Sequence, residues 1–179
     1  MGNVGKRSYA NRFNGLAILV KHAFETMSHS YNKIWIHAIW ATKERMPLIH
    51  ANVENQIHQF INEQLAELGC PAKIINGMPD HIHCLFLLSP QKSVAEIIKH
   101  IKGSSSHFIN QQNMVAEKFA WQTGYAAYSV SASVVGKVVE YIRNQKGHHQ
   151  KKTFLQEYDE FLFAYGLDNH HRINRVDFN

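Results

Sequence analysis

The sequence predicts an α+β fold of the ferredoxin-like kind, an antiparallel sheet with helices on one face. Three observations carry the prediction. Apolar segments follow the order strand, helix, strand, strand, helix, strand, and further helical segments come after them. Turn residues between the second and third strands, Gly77-Met78-Pro79-Asp80, allow only a tight connection and so an antiparallel hairpin. The third strand, within Asp80-His81-Ile82-His83-Cys84-Leu85-Phe86-Leu87-Leu88, is apolar enough to be buried and yet holds two histidines. With the helices over one face, the histidines belong on the other.

Residues 34–42 are rich in branched and aromatic side chains on both faces, as in a central strand. Asn52 can cap a helix marked by Val53, Ile57, Phe60, Ile61, Leu65 and Leu68, with Gly69 as its stop. Residues 72–76 read as the second strand. Ser93 and Glu96 form a capping box for a helix with the stripe Val94, Ile97, Ile98, Ile101, Phe108 and Ile109. Residues 119–130 read as one or two extended pieces broken at Gly124, followed by helices over 133–146 and 150–165. No internal repeat or low-complexity linker interrupts the chain.

At 179 residues and 45% hydrophobic content, one domain with a real core is expected over residues 29–179. Residues 1–28 read as a flexible extension. Its apolar stretch Leu16-Ala17-Ile18-Leu19-Val20 is too short for a signal peptide and is cut by Lys21-His22, and Met27 is an alternative start. No apolar run reaches the length of a membrane span. A net charge of +5 is weak support for a polyanionic partner. The two cysteines, Cys70 and Cys84, lack Cys-x-x-Cys spacing, which argues against a zinc-thiolate site or disulfide framework and for a reducing cytoplasm.

Strand alternation turns His81 and His83 to one face, where they can share a cation, and turns Cys84 to the other. Tyr141 and Gln145 are four apart in a helical stretch and share a face there. Paired histidines with a helical tyrosine suggest metal-assisted attack of a phenol on a phosphodiester. Taken singly, each motif has a more ordinary reading, a structural histidine pair and a packing tyrosine. Their joint occurrence in this order is the more specific signal. Asp80 either orients an imidazole or caps the turn.

The stretches His37-Ala38-Ile39-Trp40-Ala41-Thr42-Lys43-Glu44-Arg45-Met46-Pro47, Pro79-Asp80-His81-Ile82-His83, Trp121-Gln122-Thr123-Gly124-Tyr125, Ser129-Val130-Ser131 and Tyr141-Ile142-Arg143-Asn144-Gln145-Lys146-Gly147-His148-His149 carry a resemblance. Over about residues 31–165 the chain resembles the single-strand transposases of the insertion-sequence 200/605 family, within the HUH endonuclease group. The resemblance implies a DNA transposase that cuts and rejoins single-stranded DNA at hairpin-marked ends. It implies that Tyr141 attacks phosphorus, giving a 5′-phosphotyrosine and a free 3′-hydroxyl. It assigns His81, His83 and Gln145 to Mg²⁺ or Mn²⁺, and it implies a homodimer with composite active sites. A covalent intermediate keeps the phosphodiester's energy, so no nucleotide cofactor is needed.

Lys43, Arg45, Lys99, Lys102, Arg143, Lys146, Lys151 and Lys152 are candidate phosphate contacts, and Trp121 a candidate platform for an unpaired base. For each, a solvated charge or a core aromatic is the plainer alternative. His148 and His149 match the family's downstream pair but stay outside the catalytic set, and Tyr125, Tyr128, Tyr158 and Tyr165 are weaker nucleophile candidates. Two other functions remain open. One is a domesticated hairpin-binding protein without transposition, the other a metal-dependent hydrolase in which water attacks and Tyr141 only packs.

Overall fold

Apolar side chains on both faces of β1 (Trp35–Ala41) leave it no side for water, and it sits inside a sheet rather than at an edge. The computed structural model describes residues 31–148. Its strands β1, β2 (Ala72–Met78), β3 (His81–Leu87) and β4 (Ala126–Val130) are ordered β2-β3-β1-β4, and every neighbouring pair is antiparallel. This is the expected ferredoxin-like sheet.

Helices α1 (Ala51–Glu67) and α2 (Val94–Gln111) cover one sheet face. Ile57, Ile61 and Leu65 of α1 and Ile97, Ile98, Ile101 and Ile109 of α2 are buried against Ile36, Ala38, Trp40, Ile82, Cys84 and Phe86. Each such side chain contributes about 1.5–3 kcal/mol of burial, which is what fixes the helices on the sheet. Cys84 lies in this core, as alternation predicts, and burial pushes its thiol well above the usual range.

The capping box at Ser93 and Glu96 is present, and Gly69 ends the first helical segment at φ +70°. At the start of α1 the cap differs from expectation: His50, not Asn52, is the flanking residue, and its side chain makes no capping bond. Leu48 and Ile49 are buried just upstream, and Ile49 N–H donates to the Pro79 carbonyl at 2.8 Å. That anchor fixes the chain's entry before Asn52 is reached. The stretch 119–130 does divide in two, an isolated bridge from Trp121 to Thr42 and then β4 after Gly124.

A larger difference lies in the tyrosine helix. In place of one helix over 133–146 there are two, α3 (Val135–Arg143) and α4 (Gln145–His148), broken at Asn144. Asn76 Nδ2 donates to the Ile142 carbonyl at 2.8 Å and the Arg143 carbonyl at 3.1 Å. A continuing helix would use those carbonyls for the N–H groups of Lys146 and Gly147. Val138, Val139 and Ile142 of α3 are buried with Leu85 and Val130 in a second cluster, on the sheet face away from α1 and α2. The expected extension 1–28 and helix 150–165 lie outside the described residues. No helix among the described residues is long and apolar enough to cross a membrane.

The hairpin between β2 and β3 is tighter than expected, with β2 running on to Met78 and only Pro79 and Asp80 in the turn. Gly77 faces Ile82, and a Cβ there would come within 2.2 Å of the His81 carbonyl oxygen. Gly77→Ala therefore has to push β3 away at His81. We expect a loss of about 1–3 kcal/mol, read by chemical denaturation, with no change in the slope against denaturant.

Candidate active site

The face of β3 that carries His81, His83 and Leu85 is the one α3 covers. His81 and His83 are almost wholly buried, with ring centroids 5.1 Å apart. The Tyr141 ring lies 5.7 Å from that of His83, edge to face. Tyr141 is half-buried on the shoulder of the Val138, Val139, Ile142 stripe, as the helical spacing predicts. Gln145 is fully buried at the head of α4, which packs on β2. The fold thus gathers His81, His83 and Tyr141 into one place and buries Gln145 just past the helix break.

A third histidine joins them. His37, on β1, is fully buried; its ring is 5.3 Å from that of His83 and 6.2 Å from that of Tyr141. His37 Nε2 and His83 Nδ1 are 3.1 Å apart and share a hydrogen bond. Burial lowers the His37 pKa to about 3, so this ring is neutral. The motif containing His37 is plain in the sequence, but its role depends on the β1–β3 register.

His81 has a different support. Asp80 Oδ1 is 2.7 Å from His81 Nδ1, and Asp80 Oδ2 accepts from Arg45 Nε at 3.0 Å and Nη2 at 2.6 Å. Burial alone would raise the Asp80 carboxyl, but the hydrogen bonds and charges of His81 and Arg45 hold it down to about 2. Of the two readings for Asp80, the imidazole-orienting one matches this geometry. Glu44 and Arg45 sit at φ 55° and 54°, in the left-handed region that non-glycine residues avoid. Thr42 Oγ1, its one proton shared between the carbonyls of Met46 at 2.6 Å and Asp80 at 3.1 Å, ties that strained turn to the hairpin.

Each imidazole of the pair is thus engaged through Nδ1, so a metal on these rings would be taken through Nε2. Two imidazole nitrogens and one amide oxygen are a lean set for a hard cation, which would complete its shell from phosphate and water. Among the described residues no cluster of three or more His, Cys, Asp and Glu side chains offers a closed cage. A cation here would rest on the two rings and on Gln145, all of them buried.

Several candidate DNA contacts fall elsewhere. Trp121 is buried; its indole donates to Ser105 Oγ at 2.9 Å and meets Trp40 and Phe119 edge to face. It is a core aromatic and does not present a face to a base. Lys102 Nζ donates to the carbonyls of Gln122 at 2.5 Å, Thr123 at 3.1 Å and Gly124 at 2.8 Å, so its three protons tie down the loop before β4. Lys146 pairs with the buried Glu54 at 2.5 Å, joining α4 to α1. Arg45 is committed to Asp80, and Arg143 pairs with Glu140 on the surface. Lys43, beside Glu44, and Lys99 are exposed. Lys151, Lys152, Tyr158, Tyr165 and His149 lie outside the described residues. Within the single chain, Tyr141 lies beside His37 and His83.

Buried paired imidazoles with a tyrosine helix across them, on a ferredoxin-like sheet, define a tyrosine-transposase type of site. The model of the IS200-like transposases matches residues 30–145, and the chain belongs to that family. It is 25% identical over 114 residues to the ISDra2 transposase TnpA of Deinococcus radiodurans, a match covering 61% of this chain and 81% of that one. A crystal structure assigned to a transposase of D. radiodurans R1 aligns with a TM-score of 0.53 at 24% identity, over 66% of this chain and 94% of that one. A REP-associated tyrosine transposase bound to a REP hairpin aligns with a TM-score of 0.52 at 14% identity, over 68% and 72%. At these identities the two structures establish the fold.

Lys102→Met is expected to loosen the loop at residues 122–124 and cost about 1–2 kcal/mol of stability by thermal melting, since charge-assisted bonds to carbonyls are lost. The salt dependence of DNA binding should keep its slope, as it would not if Lys102 neutralised a phosphate.

Proposed function

We propose that this transposase cleaves and rejoins single-stranded DNA at hairpin-marked ends through a covalent bond to Tyr141. The observation that supports this most is the Tyr141 ring seated 5.7 Å from that of His83, beside two imidazoles oriented from behind. The phenolic oxygen forms a bond to phosphorus and loses its proton, the bond to the 3′ oxygen breaks, and the departing oxygen takes a proton. A 5′-phosphotyrosine and a 3′-hydroxyl result; attack by a 3′-hydroxyl on that phosphotyrosine reverses the step, with no nucleotide cofactor.

His81, His83 and Gln145 would hold Mg²⁺ or Mn²⁺, which when bound supplies positive charge against the non-bridging oxygens. The chain's own part is to orient that donor set: Asp80 keeps a proton on His81 Nδ1, and neutral His37 accepts one from His83 Nδ1. Hairpin DNA as ligand is supported by the hairpin bound to the structural relative described above. Of the candidate contacts, Lys43, Lys99 and Arg143 are the exposed ones and stay available for phosphates. Work on DNA within the cytoplasm accords with this reading.

Tyr141→Phe removes only the phenolic oxygen. Hairpin binding by gel shift should stay near wild type, while the denaturation-resistant protein–DNA adduct disappears. Cutting that persists without an adduct would point to the hydrolase reading, and binding with no cutting by the wild type to the domesticated binder. His81→Ala with His83→Ala should likewise keep most DNA affinity and lose cleavage at every Mg²⁺ concentration.

We further propose a homodimer with composite sites. The contacts that seat α3 are the same whether the helix stays home or is exchanged with a second copy, as in domain swapping. Mixing the double-histidine variant with Tyr141→Phe under subunit exchange should then restore adduct formation at one of the two sites. Absence of recovery, with heterodimers confirmed by differential tags, would leave the site completed within one chain.

A further inference from the structure

We propose that Asn76 is a positioning residue of this site, its side-chain amide ending the tyrosine helix where Tyr141 and Gln145 must both face the histidines. The proposal rests on Tyr141 being the nucleophile. Asn76 stands directly opposite His83 in the β2–β3 ladder, so the two side chains emerge on one face from one rung. Its two amide protons go to consecutive carbonyls, those of Ile142 and Arg143. Tyr141 immediately precedes this gripped pair and Gln145 follows it two residues on, after Asn144.

The grip has a geometric effect beyond capping. With the two carbonyls taken by Asn76, the Gly147 N–H turns to the Asn144 carbonyl at 3.0 Å, and α4 restarts after the break. Gln145 thereby enters the interior in place of following the α3 surface, and it is fully buried while its neighbours Asn144 and Lys146 are exposed. Lys146, paired with Glu54, holds the new direction from the other side. One cross-strand pair therefore couples the position of a proposed metal ligand, His83, to that of the nucleophile. Only a side-chain amide of this length does so: aspartate has the shape without the protons, and serine falls short of a double donation.

The test compares full-length wild type with Asn76→Asp and Asn76→Ala, using a single-stranded hairpin oligonucleotide carrying its cleavage site, with Mn²⁺. At saturating DNA the single-turnover rate of adduct formation should fall by about tenfold to a hundredfold, the scale of a misplacement near 1 Å. The half-saturating DNA concentration should stay within about twofold, since Asn76 holds backbone carbonyls and itself carries no charge for a phosphate. Hydrogen exchange should quicken at residues 144–147 while β3 keeps its protection. A wild-type rate in Asn76→Asp, or equal loss of protection in α3 and β3, would overturn the proposal. A measurement on the unaltered protein stands apart from folding of the variants: the Asn76 side-chain protons should exchange more slowly than those of exposed Asn52, and equal rates would reject the grip. If the wild type forms no adduct, the function proposed above fails, while these exchange measurements still decide whether Asn76 sets the break.

Discussion

Antiparallel pairing of β3 with β1 sets His81 opposite Ala41, His83 opposite Ile39 and Leu85 opposite His37, and this register decides which face each imidazole takes. A slip of one residue would turn both β3 histidines into the apolar layer beneath α1 and α2, and Ile82, Cys84 and Phe86 out of it. The cost of stranding two imidazoles among Ile57, Ile97 and their neighbours locks the register as firmly as the hydrophobic side rewards it. Once it is locked, His37 falls beside His83 with no further device.

The two ring supports differ in kind. His81 leans on an ionised carboxylate that is itself clamped by Arg45, whereas His83 leans on a neutral ring held uncharged by burial. The two rings are thus held by partners of different charge although their sequence motif is symmetrical. The left-handed backbone at Glu44 and Arg45, of order 1–3 kcal/mol for each strained residue, is tolerated where it delivers the guanidinium that keeps Asp80 charged.

Local periodicity and turn chemistry made most of the fold legible. Alternation along β3 separated the histidines from Cys84, the capping box placed the start of α2, and the Val138, Val139, Ile142 stripe put Tyr141 on a helix shoulder. What stayed hidden was decided by residues distant in sequence. The helix break comes from Asn76, 66 residues before Ile142. His37 acquires a role only through strand pairing. Trp121 and Lys102 looked like nucleic-acid contacts because an aromatic ring or a lysine has the same letter whether it faces solvent or grips the protein's own backbone.

The brevity of α3 has a consequence for the order in which the molecule assembles. Nine residues are too few for a helix to persist alone in water, where about 12–15 are marginal even for good helix formers. Its apolar stripe and its gripped end both depend on strands made from chain far upstream. The segment bearing Tyr141 therefore becomes helical by docking on a finished sheet, and a nascent or partly unfolded chain carries its phenol on an unstructured tail. On the proposed chemistry, a chain that has not completed its sheet has no organised means of cutting DNA.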